Sequence, residues 1–449
     1  MTPPAPAATR TICLYNPISR QGHLDSYARL YARAFLELGH RVLLVAETDA
    51  GAPGYVARTC PQHAAAFSFT AFADVDEVAG LRREGLPAHR RALLVWRAEG
   101  PGGIAGRLLG LPRRLLWRLL PEAARKALPQ LAPGPRRLGF RPLVARIAAA
   151  GARAGMLPDL VFILYLDLMS EAAGEVAALD GPGGLPWAGI LFHPRAAADE
   201  AYFGSARARG GLFLVPAALA RYAERRPRLA FSVAPDVADL ELAPTPHALA
   251  QAMRTQAAGR TIVLAIGTVT PHKGTETLLR VIREADRDKF FFAVIGAVMW
   301  PSFGPFEGEL RAFYQAPPAN VLVHDGYVED EPDYNTLIAA SDIVYAVYQG
   351  FGSSSNSLTK SAGFGRPILV AQGTLMGARV QEAGIGAVAM EGDVASILAG
   401  LAVLAAAPRD SFDFAGYGSR HSLAALKRVL DGAVGQWCAA PSAPAAVPS

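Results

Sequence analysis

Short apolar segments alternate with amphipathic segments along most of the chain, a pattern typical of alternating strands and helices. The first example runs from the apolar segment Thr11–Tyr15 through a polar loop to an amphipathic stretch at 26–38, which Gly39 and His40 end, and then to a second apolar segment at 41–46. Two strands joined by a helix in this way lie side by side in a parallel sheet. The pattern therefore predicts a βαβ unit near the N-terminus.

The same alternation continues in two series, which predict two α/β domains of similar size. Further strands are predicted at 160–165, 188–192, 211–215 and 229–233 in the first series, and at 261–266, 290–295, 321–324, 343–347 and 367–371 in the second. The predicted organisation is a flexible N-terminus at 1–10, an N-terminal Rossmann-like domain at 11–240, a linker at 241–259, a C-terminal Rossmann-like domain at 260–438 and a disordered tail at 439–449. Two parallel sheets that face each other bind ligands at the carboxyl ends of their strands, so we expect a site in a central cleft between the domains.

The composition is that of a globular protein and excludes several classes. The chain has 449 residues, of which 51% are hydrophobic and 18% charged, which argues against a mainly disordered protein. Three widely spaced cysteines, Cys13, Cys60 and Cys438, suggest neither a disulfide framework nor a metal site and fit a reducing compartment. No stretch reaches the ~18 apolar residues of a membrane span, and residues 1–10 lack the apolar core of a secretory signal. We therefore expect a protein of the cytoplasm or of a membrane surface.

The formal charge of +5 is unevenly distributed along the chain. Between Pro101 and Arg153 there are eleven basic residues and one acidic residue, a net charge of +10, so the rest of the chain carries −5. We call Pro101 to Arg153 the basic segment and predict that it is an amphipathic insertion in the N-terminal domain.

Leucines and arginines in the basic segment fall on separate stripes of a helix that is expected to begin near Pro112. This pattern is typical of an interfacial helix, whose arginines are attracted to anionic lipid. The predicted membrane contacts are Arg107, Arg113, Arg114, Trp117 and Arg118. A core helix with a solvated basic face is the alternative. Nucleic acid is not expected as a partner, because no recognition motif accompanies the basic residues.

Candidate chemistry is concentrated in two loops of the second domain. In the first, the run 263–274 is a predicted strand followed by a glycine-containing loop and Lys273, with a helix from Thr275. The amides and dipole at a helix N-terminus favour an anion, and a lysine ammonium adds a charge that can stabilise a diphosphate leaving group. A solvated surface lysine is the alternative.

The second loop follows the predicted strand 343–347 and is rich in glycine and hydroxyl residues over 348–357. Such a loop allows close approach of a sugar or phosphate and donates hydrogen bonds to it. Gly365, Arg366 and Pro367 then end the helix that the loop enters. A flexible turn is the alternative.

The order and spacing of these segments resemble the retaining GT-B glycosyltransferases of the family 4 type, from Thr261 to about Asp393. The shared features are the run 267–274, Gly326-Tyr327-Val328, the stretch 334–337, Ala340-Ser341-Asp342 before a strand, and the Gly-Phe-Gly loop with its helix closed by Gly-x-Pro. The N-terminal half is similar only through the unit at 16–23 and Pro235-Asp236-Val237. The resemblance implies a GT-B fold, a nucleotide-sugar donor and a retaining front-face transfer without a protein nucleophile.

The resemblance also implies a set of donor-binding residues in this chain. They are Gly22, Gly267, Thr268, Lys273, Gly326, Tyr327, Val328, Gln349, Gly350, Phe351, Gly352, Ser353, Ser357 and Lys360. No spacing of histidines and acidic residues indicates a metal, so we expect neither a metal nor another cofactor.

Two positions depart from the pattern of this family. Thr268 stands where the family has an arginine, and the paired glutamates of the family are absent. Gln349 aligns with the first glutamate, and either Ser357 or Lys360 aligns with the second, depending on where a gap is placed. In the family the second glutamate clamps the ribose hydroxyls, a role for which lysine, which has donors and no acceptor, is poorly suited. Either the donor is held differently, with Lys360 on a phosphate, or the enzyme has lost its activity.

Three residues of the N-terminal domain are further candidates. His23 follows Gly22 and is expected to contact a sugar hydroxyl or the acceptor, as a catalytic residue beside Lys273, with a solvated histidine as the alternative. His193 and Arg195 follow another strand end and are expected on the acceptor side.

These features together predict a glycosyltransferase that is peripheral on the inner face of the cell membrane. It would move a sugar from a nucleotide-sugar donor to a lipid-linked or polysaccharide acceptor. The rival hypothesis is a catalytically inactive GT-B protein that binds a glycan, a nucleotide or a partner enzyme.

Overall fold

The structure, a computed structural model, describes residues 9–19, 23–79, 81 and 138–439. These residues form two compact units. The first unit contains 9–19, 31–79, 81, 138–233 and 430–439, and the second contains 23–30 and 234–429. Gly22, most of the predicted N-terminal extension and tail, and the predicted membrane contacts Arg107, Arg113, Arg114, Trp117 and Arg118 lie outside the described residues.

A parallel sheet of seven strands forms the centre of the first unit. The strands are β1 (Thr11–Asn16), β2 (Arg41–Ala46), β3 (Phe67–Ala71), β4 (Leu160–Ile163), β5 (Trp187–Leu191), β6 (Gly210–Phe213) and β7 (Ala230–Val233). They lie in the order β3-β2-β1-β4-β5-β6-β7, with Ile12 opposite both Val42 and Leu160. Strands β1, β2 and β4 are almost wholly buried, as expected for a parallel sheet covered on both faces.

Helices cover this sheet, and aromatic side chains fill the space beneath them. In chain order the helices up to residue 233 are α1 (His23–Glu37), α2 (Ala52–Thr59), α3 (Phe72–Val75), α4 (Phe140–Ala154), α5 (Ala173–Asp180) and α6 (Leu219–Arg225). Phe162 of β4 stacks on Tyr31 of α1 at 5.3 Å between ring centroids and lies 5.7 Å from Trp437. Trp437 also donates a hydrogen bond to the Ala230 carbonyl at 3.0 Å, which ties the end of the chain to β7.

A parallel sheet of six strands forms the second unit. The strands are β8 (Thr261–Ile266), β9 (Phe290–Ile295), β10 (Val321–His324), β11 (Ile343–Ala346), β12 (Ile368–Ala371) and β13 (Gly386–Ala389). The helices are α7 (Ala248–Ala257), α8 (Thr275–Glu284), α9 (Glu307–Gln315), α10 (Glu331–Ala340), α11 (Asn356–Gly363), α12 (Leu375–Ala383), α13 (Val394–Ala406), α14 (Phe414–Arg420) and α15 (Leu423–Cys438). The strand order is β10-β9-β8-β11-β12-β13, the order of a Rossmann sheet.

The two sheets confirm the predicted fold class of two Rossmann-like parallel-sheet domains. Two strands, β3 and β13, were not predicted from the sequence. Strand β13 has the sequence Gly-Ala-Val-Ala, so a single β-branched residue, Val388, and no aromatic residue marks it as a strand. Its Gly386 is required by packing, because a Cβ there would lie 2.0 Å from the Ile368 carbonyl of β12.

The segment predicted as a linker, 241–259, contains helix α7. Ala250, Met253 and Ala257 of this helix are buried in a core cluster beneath the second sheet. The end of α15, residues 430–438, belongs to the first unit. Burial of Trp437 against β4 and β7 explains that placement.

The last part of the basic segment forms helix α4, which packs in the core of the first unit. Phe140, Leu143 and Ile147 of α4 are buried. Arg146, on the same helix, donates hydrogen bonds to both carboxylate oxygens of Asp76, at 2.7 and 3.0 Å. Its guanidinium is therefore paired within the first unit. Across the described ranges, no helix combines the length and apolar character needed to cross a membrane.

Candidate functional site

In the second sheet, β9 and β10 lie on one side of β8 and β11 to β13 lie on the other, so the direction in which strands are added reverses between β8 and β11. The two loops that carry candidate chemistry follow these two strands. Ligands of Rossmann-type sheets bind at such a point, at the carboxyl ends of the strands. The loops contact each other, since the Gln349 amide donates a hydrogen bond to the His272 carbonyl at 2.9 Å. The sequence-predicted segments 267–274 and 348–357 thus form one cluster at this edge.

Glycines shape the loop after β8. Gly267 has φ +105°, and Gly274, directly before α8, has φ +73°. A Cβ on Gly274 would lie 2.4 Å from the Val347 carbonyl at the end of β11. Any side chain there would push the start of α8 away from the neighbouring loop.

Lys273 is held by an aromatic partner from the other loop. Its Nζ lies 3.8 Å from the centroid of the Tyr348 ring, a cation–π contact. Burial raises the pKa of Tyr348, but the Lys273 charge and hydrogen bonds with Ser355 and Ser357 outweigh it and lower this pKa below its usual value. The ammonium is therefore positioned at the switch point, next to the N-terminus of α8, where an anion is favoured.

The first part of the loop after β11 is fixed by side chains around it. Phe351 lies edge-on to His272 and to Tyr348, each at 5.4 Å between centroids. The Gln349 side chain donates to Thr277 Oγ1 of α8 at 3.2 Å. Gly350 has φ +59°, and Gly352 is exposed. These contacts join the first part of the loop to α8 and to the loop after β8.

A buried network anchors the end of the same loop at Ser354. The Asp236 carboxylate, 1% exposed, accepts hydrogen bonds from Ser354, from Arg379 at 3.0 Å and from Tyr27 at 3.0 Å. The Asp236 amide donates to His421 Nδ1 at 3.0 Å. Burial, with a further contribution from the Arg379 charge, lowers the pKa of His421 to about 4. Ser353, a predicted donor contact, precedes this anchor and is half-buried.

Lys360 is fully buried and does not extend into the loop cluster. Its Nζ contacts the Glu331 carboxylate of α10 and the Asn335 side-chain oxygen. The Asn335 amide in turn donates to the carbonyls of Asp239 and Glu241. Burial lowers the pKa of Lys360, and the Glu331 charge opposes that shift. The ammonium of Lys360 is thus paired within the core of the second unit.

Tyr334 of α10 lies near Gly267 of the first loop and near Ser357, which follows the second loop. It was not among the predicted site residues. A Cβ on Gly267 would lie 3.7 Å from the Tyr334 hydroxyl, and Lys360 Nζ lies 5.2 Å from the Tyr334 ring centroid. Burial raises the pKa of Tyr334, while a hydrogen bond with Ser357 lowers it in part. Ser357 is itself buried, whereas Thr268, in the family's arginine position, is exposed.

The loops after β9 and β10 present exposed apolar side chains at the same edge. Met299 is 50% exposed and Tyr327 is 47% exposed. Asp325 ties the two loops together by accepting from the Val298 amide at 2.8 Å and from the Trp300 indole at 2.9 Å. The predicted residues Gly326 and Val328 flank Tyr327 in this loop and are both half-buried.

The acceptor-side candidates lie in the first unit, at the carboxyl end of β5. His193 is exposed, and its amide donates to Asp167 at 2.9 Å. Burial raises the pKa of Asp167, partly offset by the hydrogen bonds from the Phe192 and His193 amides. The Arg195 guanidinium forms ion pairs with Glu171 and Asp199. His23 is the first residue of α1, and its side chain lies outside what the structure describes.

Several contacts of the site had no signal in the local sequence. Tyr348 is the exception, because it is the first residue of the glycine-rich loop and directly follows the predicted strand. Arg379 and His421 are 143 and 185 residues from Asp236, and no periodicity links them. Within the described part of the chain, no group of three or more His, Cys, Asp or Glu side chains is placed to hold a metal ion.

Comparison with known proteins identifies the fold. No family matches the sequence, and no curated protein matches it. Among solved structures, Anabaena HepE in complex with UDP and glucose aligns over 95% of this chain and 99% of its own, with a TM-score of 0.59 and 13% identity. Sucrose-phosphate synthase from Thermosynechococcus elongatus aligns over 95% and 98%, with a TM-score of 0.59 and 13% identity. A UDP-forming trehalose-phosphate synthase from Burkholderia xenovorans aligns over 96% and 100%, with a TM-score of 0.59 and 11% identity. The chain thus shares the two-domain GT-B fold of these proteins.

Proposed function

We propose that this protein is a glycosyltransferase that takes its sugar from a nucleotide-sugar donor. The observation that carries the proposal is the placement of Lys273 at the switch point of the second sheet, held by Tyr348 beside the N-terminus of α8. A cation and the amides of a helix N-terminus at this position suit the diphosphate of a nucleotide sugar. The structural likeness to HepE, which binds UDP and glucose, supports the same choice.

In the proposed reaction Lys273 and the loop amides stabilise the departing diphosphate. Negative charge grows on the leaving oxygens as the bond to the sugar breaks, and donors fixed in advance stabilise it without reorganisation. The exposed side chains of Met299 and Tyr327 suit an apolar base on the β9 and β10 side. The transfer is proposed to retain the anomeric configuration, to need no metal, and to use His23 on the N-terminal side.

The acceptor is proposed to be lipid-linked or a polysaccharide, delivered at the cytosolic membrane face. This part depends on the arginine- and leucine-rich stretch at 107–120, which precedes the core helix α4. His193 and Arg195 remain its candidate acceptor contacts in the first unit.

A thermal-shift panel of nucleotide sugars, with free nucleotides as controls, tests the proposal. A ligand at about a hundred times its dissociation constant stabilises the folded state by ~2.7 kcal/mol, which raises the melting temperature measurably. We expect at least one nucleotide sugar and its free diphosphate to stabilise the chain, and nucleotide release to follow. If no compound in the panel shifts the melting temperature, the donor site is not a nucleotide-sugar site.

Measuring whether the free nucleotide is released from a bound nucleotide sugar then distinguishes the proposed enzyme from a GT-B protein that only binds its ligand. Binding of a nucleotide sugar with neither transfer nor hydrolysis would favour the inactive alternative.

A further inference from the structure

The loop after β11 contains no strong acceptor for a sugar. The stretch 347–356 supplies backbone amides, hydroxyls and amide side chains, and contains no Asp or Glu. The Gln349 side chain is already directed at Thr277. Sugar hydroxyls donate hydrogen bonds as well as accept them, and a carboxylate is the strongest acceptor among side chains. A carboxylate from another segment would therefore add the strongest acceptor to a sugar site at this loop.

Glu391 brings a carboxylate to this loop from a distant part of the sheet. It lies two residues after β13, and its Oε2 accepts a hydrogen bond from the Gly350 amide at 3.0 Å. Strand β12 lies between β11 and β13, so this contact spans the carboxyl end of β12. Glu391 thus joins the loop cluster although it is 41 residues from Gly350 in sequence.

The turn that carries Glu391 is fixed at both ends by Ser396 of α13. The Met390 amide donates to Ser396 Oγ at 3.0 Å, and the Ser396 amide donates to the Asp393 carboxylate, the cap of α13, at 3.0 Å. Gly392 takes φ +74° between them. The carboxylate therefore extends from a defined turn.

One oxygen of this carboxylate is available to a ligand. Glu391 is exposed, and Gly350 engages only Oε2. Over the described residues, neither a hydrogen bond to Oε1 nor an ion pair to Glu391 is formed. A negative charge without a cationic partner beside an amide-rich loop is suited to hydroxyl donors.

The order of the loops along the sheet edge indicates which part of a donor meets Glu391. Lys273 follows β8, Gly350 follows β11 and Glu391 follows β13, and the strands lie in this order. If a diphosphate binds at Lys273, the base and the sugar of the donor extend from it in opposite directions along the sheet edge, one toward β10 and the other toward β13. The β9 and β10 side presents Met299 and Tyr327, which suit a base, so the transferred sugar extends toward β13.

We propose that Glu391 binds hydroxyl groups of the transferred sugar, and that its charge selects neutral sugars over uronic acids. The inference rests on the proposed function, because it assumes a nucleotide-sugar donor at Lys273. A uronic carboxylate would be placed near the Glu391 carboxylate, and like charges at close range repel.

Calorimetric titration of the full chain with UDP, UDP-glucose and UDP-glucuronic acid tests this proposal. If the thermal-shift panel selects guanine, the series is GDP, GDP-mannose and GDP-mannuronic acid. The variant is Glu391→Gln, which keeps an acceptor oxygen and removes the charge. The matched control is Glu382→Gln, an exposed residue near the end of α12, where that helix returns to the opposite edge of the sheet.

We expect the wild type to prefer the neutral sugar over the uronic sugar by about tenfold or more. Glu391→Gln should weaken binding of the neutral sugar nucleotide about tenfold, abolish the preference, and leave affinity for the free diphosphate within about twofold. Glu382→Gln should match the wild type.

Equal affinities of Glu391→Gln and wild type for all three ligands would overturn the proposal. Tighter binding of the free diphosphate by the variant would also overturn it, because Glu391 would then compete with phosphate at the Gly350 amide. Failure of the wild type to bind any nucleotide or nucleotide sugar is a different result, visible before any variant is made, and it overturns the proposed function as well.

Discussion

At the scale of single residues, Lys273 obtains its position from a residue that is distant in sequence. The lysine lies in a loop after β8, and the Tyr348 ring beneath its ammonium follows β11, 75 positions later in the printed sequence. The local motif therefore identifies the charge, and the partner loop determines where that charge is held. In this position Lys273 is half-buried.

We expect Lys273→Ala to lower the rate of nucleotide release from the donor by about 10²-fold or more, since a charge aimed at the leaving group is removed. The melting temperature should stay near that of the wild type. Steady-state kinetics and thermal unfolding measure the two effects. Lys289→Ala removes an exposed lysine directly before β9, at the opposite edge of the sheet, and is the matched control. Unchanged kinetics in Lys273→Ala would remove the lysine from the mechanism.

At the scale of elements, buried polar and charged side chains connect helices whose contact no sequence pattern indicates. Helices α10 and α11 meet through Glu331 and Lys360, whose side chains are 7% and 0% exposed. The end of α14 meets the segment before α7 through His421 and Asp236. The first of these contacts holds α11, the helix that follows the loop after β11.

Lys360→Met should destabilise the protein by about 3–5 kcal/mol, because Glu331 would keep a buried charge without a partner. The double variant Lys360→Met with Glu331→Gln removes both charges and should recover part of that loss. Urea unfolding of the wild type, both single variants and the double variant gives the coupling energy. Additive effects of the two substitutions would show that the ion pair does not stabilise this helix contact.

The free energy of unfolding should decrease as the pH is lowered, over a range set by the pKa of His421. Its pKa in the folded protein, about 4, is below the ordinary value of 6.5, so the unfolded chain binds more protons between these values. The contribution of the neutral histidine is therefore complete above pH 6.5 and is lost as pH falls toward 4.

Urea midpoints at pH 7 and pH 5 measure this dependence. His421→Gln keeps an acceptor for the Asp236 amide and takes up no proton, so its midpoint should fall less than that of the wild type. Equal shifts in the two proteins would assign the pH dependence to other groups.

At the scale of the whole molecule, charge separates into a basic segment and an acidic remainder. Arg141, Arg146 and Arg153 of the basic segment belong to the core helix α4, and the predicted membrane contacts lie before it, at 107–118. Residues 101–137 carry a net charge of +7. An anionic surface would attract this stretch by ~1 kcal/mol for each arginine that comes close to it.

We expect the full chain to sediment with vesicles that contain anionic lipid at low salt, and to dissociate as salt screens the attraction. A triple variant, Arg113→Gln, Arg114→Gln and Arg118→Gln, should lose sedimentation and keep donor binding. Arg221→Gln, Arg225→Gln and Arg287→Gln together remove the same charge from exposed sites elsewhere and should still sediment. Equal sedimentation of the two triple variants would show that the basic segment is not the membrane contact.

The sequence determined the elements and the two loops of the site because both are encoded locally. Apolar periodicity predicted most strands within a residue or two, and Gly274 with Lys273 marked the turn into α8. Strand β13 was missed because its small residues carry no such signal, and it is a strand only because β12 pairs with it.

Tertiary structure alone decided which side chains meet at the site. The strand order brings β8 beside β11, and with it Lys273 onto Tyr348. The partners Asp236 and Arg379 are separated by 143 residues, and Gly350 and Glu391 by 41. Contacts of this kind depend on how sheets and helices pack, and packing is a property of the assembled chain that no local pattern of residues encodes.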